Sequence, residues 1–479
     1  MPGWMAACAE DANALKTPDA LAKLVTRRGG RMRDEQDVRA LCERVLQLAK
    51  EGGATQAEVL WSATNSALTR FAVNTIHQNV AEENEQISLR VALGKKIGVI
   101  GTNQLDDASL RDVARRAAAS ASVQPEHPDF QSLPAPEPLA PAPGAYSDAT
   151  AAFGPEQRAE GARVVIERAV ERGFEAAGAF ETAVSQVAVA NSLGVWAFQP
   201  HTEAEFHAVV MAGDEGSGWA QRVAVDASTL DAEALAREAV EKAERSRRPT
   251  ELPIGEYVTV LESYAVADLL QNLAYMGLNA LALEEERSPF TGRMGQQVAA
   301  PGVTIYDDGF DPAGLPRGFD YEGAPKRRVA LVEAGIASAV VHDSLSANKA
   351  GKPNTGHALP APNTFGAYPE HLMMAPGSAS REDLLRGVER GIYVTRFHYT
   401  NIVHPVRTLF TGMTRDGTFL IEHGEVTRPV KSFRFTQSIW DALAAVEAVG
   451  SERIQARDYM TCVAPAVRVA NWRFTGATA

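Results

Sequence analysis

Residues 411–430 read TGMTRDGTFLIEHGEVTRPV. Asp416-Gly417 is a type I′ hairpin signal between TGMTR and TFLIEH, and His423-Gly424 makes a second turn before VTRPV. Short apolar runs punctuated by Gly and Pro predict a β-rich domain, a barrel or a sandwich. The same texture runs outward in both directions. Upstream stand SPFTGRMGQQVAAPGVTIYDDG (288–309), GFDYEGAPKRRVALVEAG (318–335), NTGHA (354–358), MMAPGSAS (373–380) and RGIYVTRF (390–397). Downstream is RFTQS (434–438), followed by a predicted final helix near Ser438–Val449.

Further toward the N-terminus the pattern changes. YVTVLES (257–263) reads as a strand and Ala265–Leu283 as one long helix. Leu269, Leu270, Leu273, Met276, Leu278, Leu281 and Leu283 mark it as a buried core helix. Before it, helices are predicted over Asp37–Glu51, Asp107–Ala121, Glu156–Arg172 and Asp231–Arg247. Strands fall at Ala57–Trp61, Leu68–Asn74, Ile87–Leu93, Phe180–Ala190, Val195–Phe198 and Glu203–Met211. Gly94-Lys95-Lys96 turns the third of these into IGVIGTN. The Pro/Ala tract SLPAPEPLAPAPGAYS (132–147) holds neither ladder nor helix and reads as an extended linker. The fold class is therefore α+β, with mixed α/β N-terminal segments before a β-rich C-terminal domain. The expected organisation is an N-terminal extension (1–33), an α/β first domain (34–131), the linker (132–147), an α/β central domain (148–251) and the β-rich domain (252–479).

A chain of 479 residues is too long for one ordinary core. Its 45% hydrophobic and 22% charged residues are those of a soluble globular protein. The net charge of −13 repels phosphate backbones. The basic clusters Lys23–Arg33, Arg245–Arg248 and Lys326–Arg328 are short and read as solvated surface, so neither nucleic acid nor membrane is an expected partner. Three cysteines (Cys8, Cys42, Cys462) without metal-ligand spacing suggest a reducing compartment. The N-terminus lacks a signal-peptide pattern, which makes the cytoplasm the expected location.

Several residues have the chemistry of a site. Asp307-Asp308 and Asp320/Glu322 form either a paired-acid system or turn-forming and capping carboxylates. His398, Tyr399 and His404 lie in RFHYTNIVHPVRT. On a regular strand the two histidines share a face about 20 Å apart, too far for one metal unless the segment folds back. His342 and His357 flank a predicted loop. Glu284, Glu285 and Glu286 end the long helix as a solvated cluster or a weak cation site. No GxSxG elbow is present.

The order of the C-terminal motifs, together with ISLRVALGKKIGVIGTN (87–103), resembles the TldD/PmbA family, the modulators of DNA gyrase. The resemblance is strongest over 288–471 and weakest over 149–251. Members are either zinc peptidases with an HExxxH helix or metal-free, TldE-like partner subunits. The helix implied to carry HExxxH follows the first C-terminal strand, and here it reads AVADLLQNLAYMGLNALALEEE (265–286), with no histidine. No His-Glu dipeptide occurs anywhere in the chain. The resemblance also implies a zinc-ligating cysteine where Cys462 stands. Without the two histidines Cys462 has no co-ligands, and a buried structural thiol is the plainer reading. The resemblance thus implies a metal-free subunit with no cofactor of its own. It would pair with a TldD-like HExxxH subunit that holds zinc, and act on extended unfolded or leader peptides. A metal-dependent or acid–base hydrolase built from scattered His342, His357, His398, His404, Cys462 and the DDG acids is the second reading. A homo-oligomer, such as a homodimer, that only binds peptide is the third.

Overall fold

The computed structural model describes residues 32–477. The N-terminal extension, with Cys8 and most of the Lys23–Arg33 cluster, lies outside the described residues apart from its last two positions.

Two units of the same order build the N-terminal half. In the first, helix α1 (Glu35–Glu51) precedes β1 (Gln56–Ala72), β2 (Thr75–Leu93) and β3 (Lys96–Thr102), and α2 (Asp107–Val123) follows. In the second, α3 (Pro155–Glu171) precedes β4 (Glu175–Asn191), β5 (Trp196–Gly213) and β6 (Gly216–Ala224), and α4 (Ala232–Arg245) follows. The caps are local: Asp106 and Asp231 accept the N–H groups of Ser109 and Ala234 at the starts of α2 and α4. Strands from both sides of the Pro/Ala tract share one antiparallel six-stranded sheet, ordered β3-β2-β1-β4-β5-β6. The join is β1 against β4, in register from Glu58↔Asn191 to Phe71↔Gly178. The tract itself lies against this sheet, with Leu133 buried and Pro134 O accepting from Asn191 Nδ2 at 2.8 Å.

Strand alternation gives the sheet two different faces. Trp61, Leu89, Phe180, Phe206 and Val210 point to the four helices and form their cores. The other face meets the C-terminal half. Val187, Val189, Val195 and Ala197 pack there on Phe319. Glu58 and Arg90, cross-strand neighbours on β1 and β2, join Glu322 across the same boundary, with Arg90 Nη2 at 2.7 and 2.9 Å from the two carboxylates. Burial first, with the Glu322 charge adding to it, lifts the Glu58 carboxyl to about 7 against the pull of Arg90.

The C-terminal half is the β-rich part. Five strands close on themselves: β7 (Gly255–Leu261), β12 (Arg390–His404), β13 (Leu409–Glu422), β15 (Phe433–Ser438) and β17 (Thr461–Ala477). Phe397, Phe410, Phe435 and Trp472 fill the interior, with ring centroids 4.5–6.2 Å apart. From β17 the sheet continues through β11 (Leu372–Met374), β8 (Ile305–Asp307), β9 (Val329–Glu333) and β10 (Ile336–Ala337). Strand β14 (Glu425–Pro429) pairs with β13, and β16 (Val446–Arg457) with β17. Helix α5 (Ser263–Tyr275) packs on β12, β16 and β17 with Leu269, Leu270 and Leu273 at or near zero exposure. Each such leucine contributes about 1.5–3 kcal/mol by burial. Among the described residues no helix is long and apolar enough to cross a membrane.

The fold is α+β with a β-rich C-terminal region, as the sequence reading has it, but several local expectations fail: the strands read at 57–61 and 68–74 are the single β1, and those at 195–198 and 203–211 are the single β5. The predicted helix 265–283 breaks after Tyr275, because Gly277 sits at φ 107 and Asn279 caps a second short helix, α6 (Ala280–Glu284). The final helix is only α7 (Ile439–Ala444), since Val446 and Val449 pair with β17 instead. Asp416-Gly417 is no hairpin. Both residues have positive φ, yet β13 runs on through them and two residues face the single Thr395 of β12, a bulge. Asp416 Oδ2 accepts from Arg396 Nε at 2.6 Å, and Thr395 Oγ1 lies 3.0–3.1 Å from the carbonyls of 415–417. The real turn is His423-Gly424, between Glu422 and Glu425.

Candidate functional site: a cleft between the two halves

Alternation along HTEAE (201–205) turns His201, Glu203 and Glu205 toward the C-terminal half, opposite the helix-facing Ala204 and Phe206. A cleft of about 640 Å³ opens there, within the range of ligand sites. One wall is β5. The other is the Gly314–Arg317 loop, Tyr321, the 368–373 segment and the β16–β17 turn with Tyr459 and Met460. Tyr275, Phe365 and Tyr459 stand at the mouth with ring centroids 5.7 and 5.9 Å apart. All three are about half exposed.

Local bonds fix the polar groups. Gln199 donates to Pro316 O at 3.0 Å and accepts from Gly318 N at 2.9 Å, holding the loop that carries Arg317. Arg317 stacks on Tyr321, its guanidinium carbon 4.1 Å from the ring centroid, and donates from Nη1 to the Tyr321 hydroxyl at 2.9 Å. Its Nη2 is buried with no partner. The same holds for His371 Nδ1, Glu370 Oε2 and Lys326 Nζ. Lys326, fully buried behind the wall, comes no closer than 3.8 Å to Glu370. Arg457 is spent on Glu203 at 2.7 Å. Burial, reinforced by nearby cations, pushes His201 down to about 4 and His371 down to about 3, so both rings are neutral near pH 7.

Behind the cleft the DDG acids are structural. Asp307 accepts from His357 Nε2 and from His371 N, each at 2.7 Å. Burial opposes its charge, but the His357 partner and the Lys326 charge hold the carboxyl well below the usual range. His357 Nδ1 meets Thr355 Oγ1 at 2.9 Å, and Thr355 bonds the backbone of His342. His342 and His357 are thus linked through Thr355, not through a shared ligand. Asp308 caps its own turn at Phe310 N. Asp320 accepts from Glu322, Ala324 and Ala358 N–H groups at 2.8–2.9 Å. Burial and the Glu322 charge raise its carboxyl to about 7. The paired-acid reading therefore gives way to capping. Glu284 and Glu285 pair with Lys349 and Arg287. His398 and His404 stay on one bulged strand, with Tyr399 at φ 52, and the segment does not fold back.

The region where the resemblance implies a metal borders the cleft from the other side. Thr461 and Val463 line the cleft, so alternation turns Cys462 away from it into the core, at 0% exposure. Burial pushes its thiol pKa up. Helix α5 packs on that strand, and its polar groups are engaged. Asp268 and Asn272 bond each other and Thr400 at 3.0–3.2 Å, and Gln271 accepts from Met460 N at 3.3 Å. Loss of hydration lifts the Asp268 carboxyl to about 7 despite those bonds. A carboxyl that keeps its proton up to about pH 7, two amides and an inward thiol do not make a zinc donor set. Among the described residues no group of three or more His, Cys, Asp or Glu is placed to hold a metal ion.

Such a fold, a strand-alternating sheet capping a β-rich half across a cleft, defines a class known from other proteins. Models of the first, central and C-terminal domains of the PmbA/TldA metallopeptidases match residues 57–121, 148–247 and 254–476. The chain belongs to the PmbA/TldD metallopeptidase family. It is 31% identical over 205 residues to a Haemophilus influenzae metalloprotease TldD homolog, covering 41% of each chain. A metalloprotease of Methanothermobacter thermautotrophicus is 26% identical over 226 residues, 46% of this chain and 49% of that one. The chain thus spans less than half the length of these curated relatives. Its fold is that of TldE from Thermococcus kodakarensis, with a TM-score of 0.84 over 91% of this chain and 100% of that one, at 21% identity.

Sequence reasoning missed Arg317, Glu370, His371, His201 and Arg457. Only the period-two pattern at 201–205 carried a usable signal, because the other residues sit in irregular loops or at a strand end.

Proposed function

We propose that this chain is a metal-free subunit of a PmbA/TldD-type peptidase in the cytoplasm. It pairs with an HExxxH-bearing, TldD-like subunit that carries zinc, and it helps hold extended unfolded or leader peptides for that partner to cut. The observation that carries the reading is the make-up of α5 and β17. The helix after β7 has no histidine, and Cys462 faces the core. Hydrolysis at zinc needs convergent ligands and an open position for water, and these residues supply neither. Peptide capture needs only backbone partners and pockets, which the cleft and the sheet edges offer. In the test, a fluorogenic unfolded peptide is incubated with the purified chain alone, with an HExxxH homologue alone, and with both. The expected result is no cleavage by the chain alone and a rate for the mixture at least about tenfold above the homologue alone. Cleavage by the isolated chain that a chelator abolishes would sink the proposal.

A further inference from the structure

The cleft holds polar capacity that the protein does not use itself. Buried polar atoms are nearly always satisfied in native proteins, and each exception calls for a ligand or water. Here three buried atoms without a hydrogen-bond partner (Arg317 Nη2, His371 Nδ1 and Glu370 Oε2) belong to residues that line one cavity, and a fourth, Lys326 Nζ, lies behind its wall. Their charges are not equivalent. Lys326 lies 3.8 Å from Glu370 and offsets its charge. Arg457 is offset by Glu203. Asp307 is held by His357 and the backbone of His371. Of the two guanidinium groups lining the cleft, Arg457 is paired with Glu203, and Arg317 is the one that keeps a nitrogen without a hydrogen-bond partner. It is held in place by its stack on Tyr321 and by the Gln199-braced loop. The positive charge of Arg317 also helps disfavour protonation of both His201 and His371, on opposite walls.

We infer that the cleft binds the C-terminal carboxylate of a peptide, with Arg317 Nη2 and the His371 ring as donors and the aromatic mouth taking the last side chains. A guanidinium with one free edge and a planar carboxylate match in geometry. His371 joins as a donor through the tautomer with hydrogen on Nδ1. Tyr275, Phe365 and Tyr459 are half exposed, a surface for apolar side chains one or two positions before the terminus. This inference rests on the peptide-binding part of the proposed function and adds which end of the peptide the chain reads.

The test uses the full chain and an N-acetylated hexapeptide ending in leucine, prepared as the free acid and as the C-terminal amide, with affinities read by calorimetry. The free acid is expected to bind about tenfold or more tightly than the amide, the scale of one charge-assisted hydrogen bond. Arg317→Met should erase that ratio by weakening only the acid. Glu370→Gln, which removes a competing carboxylate without touching the Tyr321 stack, should strengthen binding of the acid. Equal binding of acid and amide by the unmodified chain overturns the inference and leaves peptide binding standing. Binding of neither overturns both. Inorganic phosphate binding more tightly than the acid also overturns it, by making the site one for free anions.

Discussion

The α5–Cys462 region and the cleft floor lie on either side of the same strand, yet they are built on opposite terms. Around α5 the polar groups are engaged: Asp268 and Asn272 close on Thr400, Gln271 takes a backbone N–H, and the sulfur is turned into the core. On the cleft floor, buried polar atoms of Arg317, His371 and Glu370 are left without hydrogen-bond partners, as is Lys326 Nζ just behind it. The strand between them makes the difference by alternation alone: Thr461 and Val463 face the cleft, and Cys462 does not. A site with spent donors stabilises the fold, whereas a site with unspent donors has paid-up geometry and room for a ligand. In the proposed reading, the α5–Cys462 region is closed to a metal and the cleft is open to a peptide.

Substitutions can break that contrast. The largest expected effect is at Asp307, whose oxygens are engaged. Asp307→Ala strands His357 and the His371 N–H in the interior and should cost about 3–5 kcal/mol in urea unfolding. Lys326→Met, by contrast, removes an ammonium with no hydrogen bond and only a 3.8 Å pairing to Glu370, and should cost less, about 1–3 kcal/mol. If both changes cost the same, the division into spent and unspent groups is wrong.

A smaller effect separates the two regions by pH. Asp268 has a folded pKa raised to about 7, so the folded state keeps its proton while the unfolded chain loses it from about pH 4 upward. Its contribution is present at low pH and is lost as pH rises toward 7. His371 is the reverse case, with its folded pKa lowered to about 3. The unfolded chain takes up its proton first, so stability falls as pH drops from about 6.5 toward 3. Melting curves should therefore show Asp268→Asn gaining on the parent between pH 5 and pH 8, and His371→Asn gaining on it between pH 7 and pH 5. Parallel shifts for the two variants would mean that the neutral states assigned to these groups are wrong.

Much of the fold was legible because its signals are local. The helices read over Asp107–Ala121 and Asp231–Arg247 and the turn at His423-Gly424 each rest on residues within or beside the element itself. Asp416-Gly417 misled because a positive-φ pair serves a bulge as readily as a hairpin, and only the partner strand decides. The sequence also could not show that the segments flanking the Pro/Ala tract share a sheet, since β1 and β4 pair across more than a hundred residues. At the site, the missing histidines of α5 were plain. A buried Cys462 was legible too, but the assembly of Arg317, His371 and His201 was not, because it depends on two halves of the chain meeting.

The most direct test of the central claim is the zinc content of the purified chain alone, measured by mass spectrometry after dialysis against zinc, with Cys462→Ala beside it. The account predicts far less than one zinc per chain for both proteins and no difference between them. About one zinc per chain, lost in Cys462→Ala, would contradict it and move the chemistry back to this subunit.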